Sequence, residues 1–200
     1  MSVADSDEDR LAAYLAERGL STTRFSKDER RTRKTPDFRV AAGSNVVAYC
    51  EVKSIALDTW LDRLFAKARP SEIVGGARKD PVFNRLTDDI HTAVHQFDAV
   101  NPDCALPNIL GIANHDKSCG FLDLLAVLTG NFYGTEGAHP IYRQFSEGRI
   151  KDEKSRIHVY IWLDDFRPTH VLFSRTHPQH HRRLCELLGF DDKDLQNVDS

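Results

Sequence analysis

The stretch Thr35-Pro36-Asp37-Phe38-Arg39-Val40, a short turn, and then Val46-Val47-Ala48-Tyr49-Cys50-Glu51-Val52-Lys53 decides how this chain is read. Val, Tyr and Phe favour strands, and Ala42-Gly43-Ser44-Asn45 between the two runs is turn chemistry, so the stretch predicts a β-hairpin. Side chains along a strand alternate faces. Val47, Tyr49, Glu51 and Lys53 are therefore expected on one face, and Val46, Ala48, Cys50 and Val52 on the other. If the hairpin closes with Asp37 opposite Glu51, their Cβ atoms stand ~5 Å apart, close enough for both carboxylates to reach one cation. Two like charges facing each other on a half-buried sheet destabilise it unless something compensates. A divalent cation would do so, with Lys53 adding positive charge beside it. The plainer alternative is an exposed face on which Glu51 and Lys53 form an ion pair. The preceding Pro-Asp, the strand-like flanks and the hairpin-length gap together favour the metal.

These residues resemble the PD-(D/E)XK nuclease superfamily, whose pattern is spelled here Pro36-Asp37 and Glu51-Val52-Lys53. The resemblance implies an α/β fold with the restriction-endonuclease-like α-β-β-β-α-β core, a mixed central sheet flanked by helices. It further implies that Asp37, Glu51 and the Val52 carbonyl hold Mg²⁺ or Mn²⁺ and that Lys53 is catalytic. The bond cleaved would be a nucleic-acid phosphodiester, in DNA rather than RNA. Read from the residues alone, the pattern supports one α/β domain with a mixed sheet.

Length and composition set the frame for that expectation. Two hundred residues suit a single domain, with the nuclease-like core expected over about 7–113, an insertion at about 56–80 and an accessory α/β part over about 117–190. The net charge of −3 gives no global attraction to nucleic acid, so binding must rest on a local patch. Cys50, Cys104, Cys119 and Cys185 are scattered without a C-x-x-C pair, as in a reduced cytoplasmic protein rather than a disulfide framework or zinc site. The acidic start is no signal peptide, and no apolar run approaches membrane-spanning length.

Before the hairpin, a helix is expected from about Asp7 to Arg18, capped by Ser6 and stopped by Gly19, with Leu11, Tyr14 and Leu15 as its buried stripe. Glu8 falls on the stripe side. In the resemblance to Holliday-junction resolvases a first-helix glutamate joins the metal site, and Glu8 fits that spacing better than Glu17. Leu20 to Phe25 reads as a strand. Lys27, Arg30, Arg31, Arg33 and Lys34 then form the most basic window of the chain, leading straight into Asp37. They are candidates to hold substrate phosphates, against the reading of a solvated charged loop.

After the hairpin, Leu57, Trp60, Leu61, Leu64 and Phe65 predict a short amphipathic helix ended by Pro70, as a lid or as cover for a sheet edge, followed by Gly75-Gly76 and basic Arg78-Lys79. A longer helix opening at Asp80 or Pro81 carries Phe83, Leu86, Ile90, Ala93, Val94 and Phe97 on its apolar face. Its Ala93-Val94-His95-Gln96-Phe97 resembles a helix that follows the Glu-x-Lys strand in several nuclease-like families, which makes Gln96 a further candidate catalytic residue. Asn108 to Ala113 reads as a central buried strand, Phe121 to Thr129 as a helix and Gly130 to Gly148 as a loop. Ile157 to Leu163 reads as an amphipathic strand, Val171 to Phe173 as another, and Pro178 to Leu188 as a closing helix. His177, His180 and His181 at its start read as a solvated, weakly basic helix end, since zinc would need about four Cys or His ligands.

The expected partner is nucleic acid, DNA above RNA, with no membrane and with a second copy or a protein partner left open. Two rivals stand beside the nuclease reading. One is an inert nuclease-fold binding or structural module of a larger complex, and the other a metal-dependent hydrolase acting on RNA.

Overall fold

The computed structural model describes residues 3–57, 59–75, 82–141 and 147–195. In chain order its elements are α1 (Val3–Ala16), β1 (Ser21–Arg24), α2 (Lys27–Thr32), β2 (Phe38–Ala42), β3 (Asn45–Ile55) and α3 (Trp60–Phe65). They continue with α4 (Val82–Asp98), β4 (Asn108–Asn114), α5 (Phe121–Thr129), β5 (Asn131–Gly134), β6 (Gly137–Pro140), β7 (Val159–Asp164), β8 (His170–Phe173) and α6 (Pro178–Leu188). The main sheet has six strands in the order β1-β2-β3-β4-β7-β8. β3, β4 and β7 run parallel and the flanking pairs are antiparallel, so the fold is α/β with a mixed sheet. The C-terminal part supplies two strands, β7 and β8, of this same sheet.

The hairpin closes in the expected register, with Phe38 opposite Cys50 and Arg39 opposite Tyr49. Strict alternation fails nearer the turn. A bulge lies beyond the Val40–Ala48 pair, where Ala41 faces Val46, leaving Val47 as the extra residue of β3. Val47 and Ala48 therefore both bury in the cluster with Leu11 and Val40, while Val46 is exposed. Beyond the bulge the expected faces hold. Cys50 and Val52 pack with α1 residues Leu11 and Leu15 and with Leu184 and Leu188 of α6. Tyr49 packs on the other face with Ile90, Val94 and Phe97 of α4.

β4 is buried along its whole length, as its continuous apolar run requires. β7 differs from its expected amphipathic character. Every residue from Val159 to Asp164 is buried, because β4 and β8 cover both edges and helices cover both faces. Gly111 in the centre of β4 lets α1 approach closely, since a Cβ there would lie 2.4 Å from Leu11 Cδ2. The polar end of β4 is closed by hydrogen bonds. Asn114 Nδ2 donates to Asp164 Oδ2 at 2.9 Å, and His115 sits between Asp7 and Asp165 at 3.0 and 2.6 Å.

Several local expectations change. α1 begins at Val3, so Ser6 lies inside the helix instead of capping it. The basic window forms the helix α2, held by a capping box between Ser26 and Glu29. The expected loop after α5 contains the β5–β6 hairpin. Leu57 and Phe65, two members of the apolar stripe around α3, stand exposed. The helix start expected at Asp80 or Pro81, and Gly76 with the Arg78-Lys79 pair, lie outside the described residues. His180 and His181 are buried, not solvated, because α6 turns them against β7, β8 and the segment around Cys104. All four cysteines are free and buried, and no described helix is long and apolar enough to cross a membrane.

Candidate active site

β2 begins at Phe38, and the chain before it swings so that Asp37 meets β3 with its side chain. Val52 N–H donates to Asp37 Oδ2 at 2.8 Å, and Asp37 N–H donates to Glu51 Oε2 at 3.1 Å. A strand residue presents its N–H and C=O on the same edge, so the Val52 carbonyl faces the Asp37 side as well. Asp37 and Glu51 are thus held together by backbone groups of the hairpin itself.

Glu51 is only 2 % exposed, and burial foremost pushes its carboxyl pKa up to about 8. The Asp37 carboxylate beside it pushes the same way, against the pull of Lys53. Lys53 Nζ donates to Glu51 Oε1 at 2.6 Å and to Gln96 Oε1 at 3.0 Å. Gln96 in turn donates from Nε2 to the Thr35 carbonyl at 3.1 Å. α4 and the segment before β2 are tied together through this amide, with the lysine between the amide and the acid pair.

The basic helix reaches the same place. Arg39 of β2 pairs with Glu29 of α2 and lies over the Phe25 ring at 3.8 Å. Glu29 is pulled down to about 2 by Arg39 and by its capping bonds with Ser26. Docked this way, α2 and the residues after it bring Arg30, Arg33 and Lys34 to the wall of a cleft of about 360 Å³, which Thr35, Lys53, Thr92 and Gln96 complete. Four of its seven lining residues are cationic and none is acidic, so the cleft suits an anion. Lys27 and Arg31 are exposed on α2 and do not line it.

The structure therefore brings together Asp37, Glu51, the Val52 backbone, Lys53 and Gln96, with Arg30, Arg33 and Lys34 alongside. Glu8 lies on α1, across the sheet from α4, and its carboxylate pairs with Arg24 of β1. Asp89 has no motif to single it out in the sequence. It stands about two helical turns before Gln96 on the same face of α4. Burial raises it to about 6 against the attraction of Lys53, and its Oδ2 has no hydrogen-bond partner among the described residues. The seven-residue spacing to Gln96, with Thr92 between, is the one signal that points to it.

Chemically, two crowded oxygen ligands and a backbone carbonyl form a donor set suited to a hard divalent cation. The elevated pKa of Glu51 marks the electrostatic strain that such a cation would relieve. No protein-family model, curated protein or solved structure matches the chain.

Proposed function

We propose that this protein is a metal-dependent nuclease of the PD-(D/E)XK type that hydrolyses phosphodiester bonds in nucleic acid, DNA in preference to RNA. The observation that carries the reading is the acid pair Asp37–Glu51, linked through Lys53 to Gln96 at the edge of a cationic cleft. The element order α1, β1, β2, β3, α4, β4, with α2 and α3 interposed, is the order of the restriction-endonuclease-like core and supports the same reading.

Asp37, Glu51 and the Val52 carbonyl would hold Mg²⁺ or Mn²⁺. Bound there, the cation supplies Lewis acidity toward a phosphate oxygen and acidifies coordinated water. Lys53 provides a charged donor for the oxygens on which negative charge grows during displacement. Gln96 fixes the direction of that ammonium by accepting from it while bonded to Thr35. Arg30, Arg33 and Lys34 bind flanking phosphates, and their grip on the backbone holds a strand in register without reading its sequence. Free, buried cysteines agree with a cytoplasmic setting.

A gel assay of the pure protein on single-stranded DNA, duplex DNA and RNA, with and without Mg²⁺ or Mn²⁺, tests the proposal. Metal-dependent cleavage that disappears in Asp37→Ala is expected. Cleavage that survives Asp37→Ala would sink the assignment. Absence of cleavage together with absence of calorimetric Mn²⁺ binding at millimolar metal would favour an inert module.

A further inference from the structure

Outside the acid pair, metal-ligating side chains gather around α6. Among the described residues, two groups have ligand atoms within 4.8 Å of one another: Cys104, His158 and His177, and His181, Cys185 and Asp192. The first is poorly set for a metal by its own hydrogen bonding. His158 Nδ1 accepts the Asn108 N–H at 3.0 Å, so the neutral ring carries its proton on Nε2. That nitrogen is a buried donor, and it could coordinate only if the ring gave up its bond to Asn108.

The second group meets a milder conflict: His181 Nε2 carries the proton it donates to Asp192, but Nδ1 has no hydrogen-bond partner among the described residues, so moving the proton there breaks no other bond. His181 Nε2 lies 2.8 Å from Asp192 Oδ1 and 3.8 Å from Cys185 Sγ. Ligand atoms around a tetrahedral cation with bonds of about 2.0–2.3 Å stand roughly 3.3–3.6 Å apart. On the two His181 distances, seating a cation asks the carboxylate to move out by about 0.5 Å and the thiolate to move in by about 0.2 Å, while the carboxylate and thiolate, which lie within 4.8 Å of each other, close to about 3.6 Å. Asp192 has that freedom, since its side chain is 60 % exposed on a short turn after α6. His181 and Cys185, one helical turn apart, are buried and fixed by packing.

We propose that His181, Cys185 and Asp192 form a binding site for a borderline-soft divalent cation of the zinc class, with a fourth position open to water beside Asp192. A thiolate, an imidazole and a carboxylate select Zn²⁺, Co²⁺ or Ni²⁺ over Mg²⁺. Binding replaces the hydrogen bond to Asp192, moves the His181 ring proton from Nε2 to Nδ1, and releases the thiol proton of Cys185 to solvent. Arg175, 3.4 Å from the same Asp192 oxygen, competes for that ligand. His181 Nδ1 is buried without a partner among the described residues, so the ring lacks the outer brace that tightens structural zinc sites. The cation would clip the turn after α6 back onto the helix. The site is separate from the all-oxygen acid pair and does not depend on its chemistry.

Co²⁺ titration of the full chain, followed by its visible bands and its thiolate-to-cobalt charge-transfer band, tests this. One equivalent is expected to develop the charge-transfer band in the wild type, in Cys104→Ser and in Asp37→Ala. Cys185→Ser should abolish it. Asp192→Asn, an exposed change that leaves the core intact, should weaken Co²⁺ binding by about tenfold or more. Zn²⁺ should raise the melting temperature of the wild type and lose most of that effect in Asp192→Asn. A band that persists in Cys185→Ser or vanishes in Cys104→Ser overturns the site, as does unchanged affinity in Asp192→Asn or the absence of any thiolate band in the wild type.

Discussion

Val52 donates its amide to the Asp37 carboxylate at 2.8 Å, so a side chain stands where the next backbone residue of β2 would otherwise pair. The strands part at this point, and the gap between them is where both acids and the Val52 carbonyl converge. Anything that closes the gap removes the site, and anything that neutralises the acids should firm the hairpin.

Glu51 gives the clearest stability test. In the folded chain its carboxyl keeps its proton up to about pH 8, against about 4.5 for an ordinary glutamate. The folded state thus binds more protons than the unfolded state across that window, and stability falls as pH rises through it. Thermal unfolding in the absence of divalent metal should show the melting temperature dropping between about pH 5 and about pH 8. In Glu51→Gln the drop should be much smaller, and in the wild type Mn²⁺ should restore the loss at the alkaline end. Equal pH profiles for the two proteins would contradict the assigned environment.

Lys53 should separate chemistry from metal binding. Lys53→Ala removes a cation from beside Glu51, so Mn²⁺ affinity should hold or improve by calorimetry. Turnover should fall about 10²–10³-fold, the usual cost of losing one charged donor to a developing oxyanion. A large loss of Mn²⁺ binding in this variant would assign the lysine a different role.

The cationic cleft predicts a salt signature. In an Asp37→Asn background, Arg30→Ala, Arg33→Ala and Lys34→Ala together should weaken oligonucleotide binding and flatten its dependence on salt. Each side chain that ceases to neutralise a phosphate should reduce the slope of log K against log salt by roughly 0.7–0.9. Fluorescence anisotropy at several salt concentrations reads this directly, with Lys27→Ala and Arg31→Ala as the exposed pair expected to matter less.

Gly111 carries the docking of α1. Gly111→Ala places a methyl 2.4 Å from Leu11 Cδ2 and should cost about 1–3 kcal/mol by urea unfolding. Leu11→Ala in the same chain should recover part of that cost, which would locate the strain at this point of the α1–β4 packing.

The sequence carried the hairpin register well, because Asp37 and Glu51 had to face each other for the charge pattern to make sense. It also carried α5 and α6, whose boundaries coincide with Phe121–Thr129 and Pro178–Leu188. Short-range exceptions were harder to read. Val47 escapes simple alternation because one extra residue at the bulge turns it to the α1 side. α2 has no apolar stripe to announce it, and only the Ser26–Glu29 spacing marked it. Long-range company was hardest of all. His180 meets the Cys104 carbonyl and His181 meets Asp192 only after α6 has docked. Glu8 had the right phase on its helix, yet Arg24 of β1 holds it. Asp89 escaped notice because a lone helical acid looks like surface until Lys53 is placed against it.

The placement of β7 between β4 and β8 has a consequence for synthesis. Residues 35–96, which contain the whole acid pair, its lysine and Gln96, leave the ribosome well before residues 159–164. Until then the outer edge of β4 has no neighbour, and the strand that underlies β3 is half-supported. Competence for the proposed cleavage should therefore arise late in translation, which on that reading would keep a growing chain from acting on the nucleic acids around the ribosome.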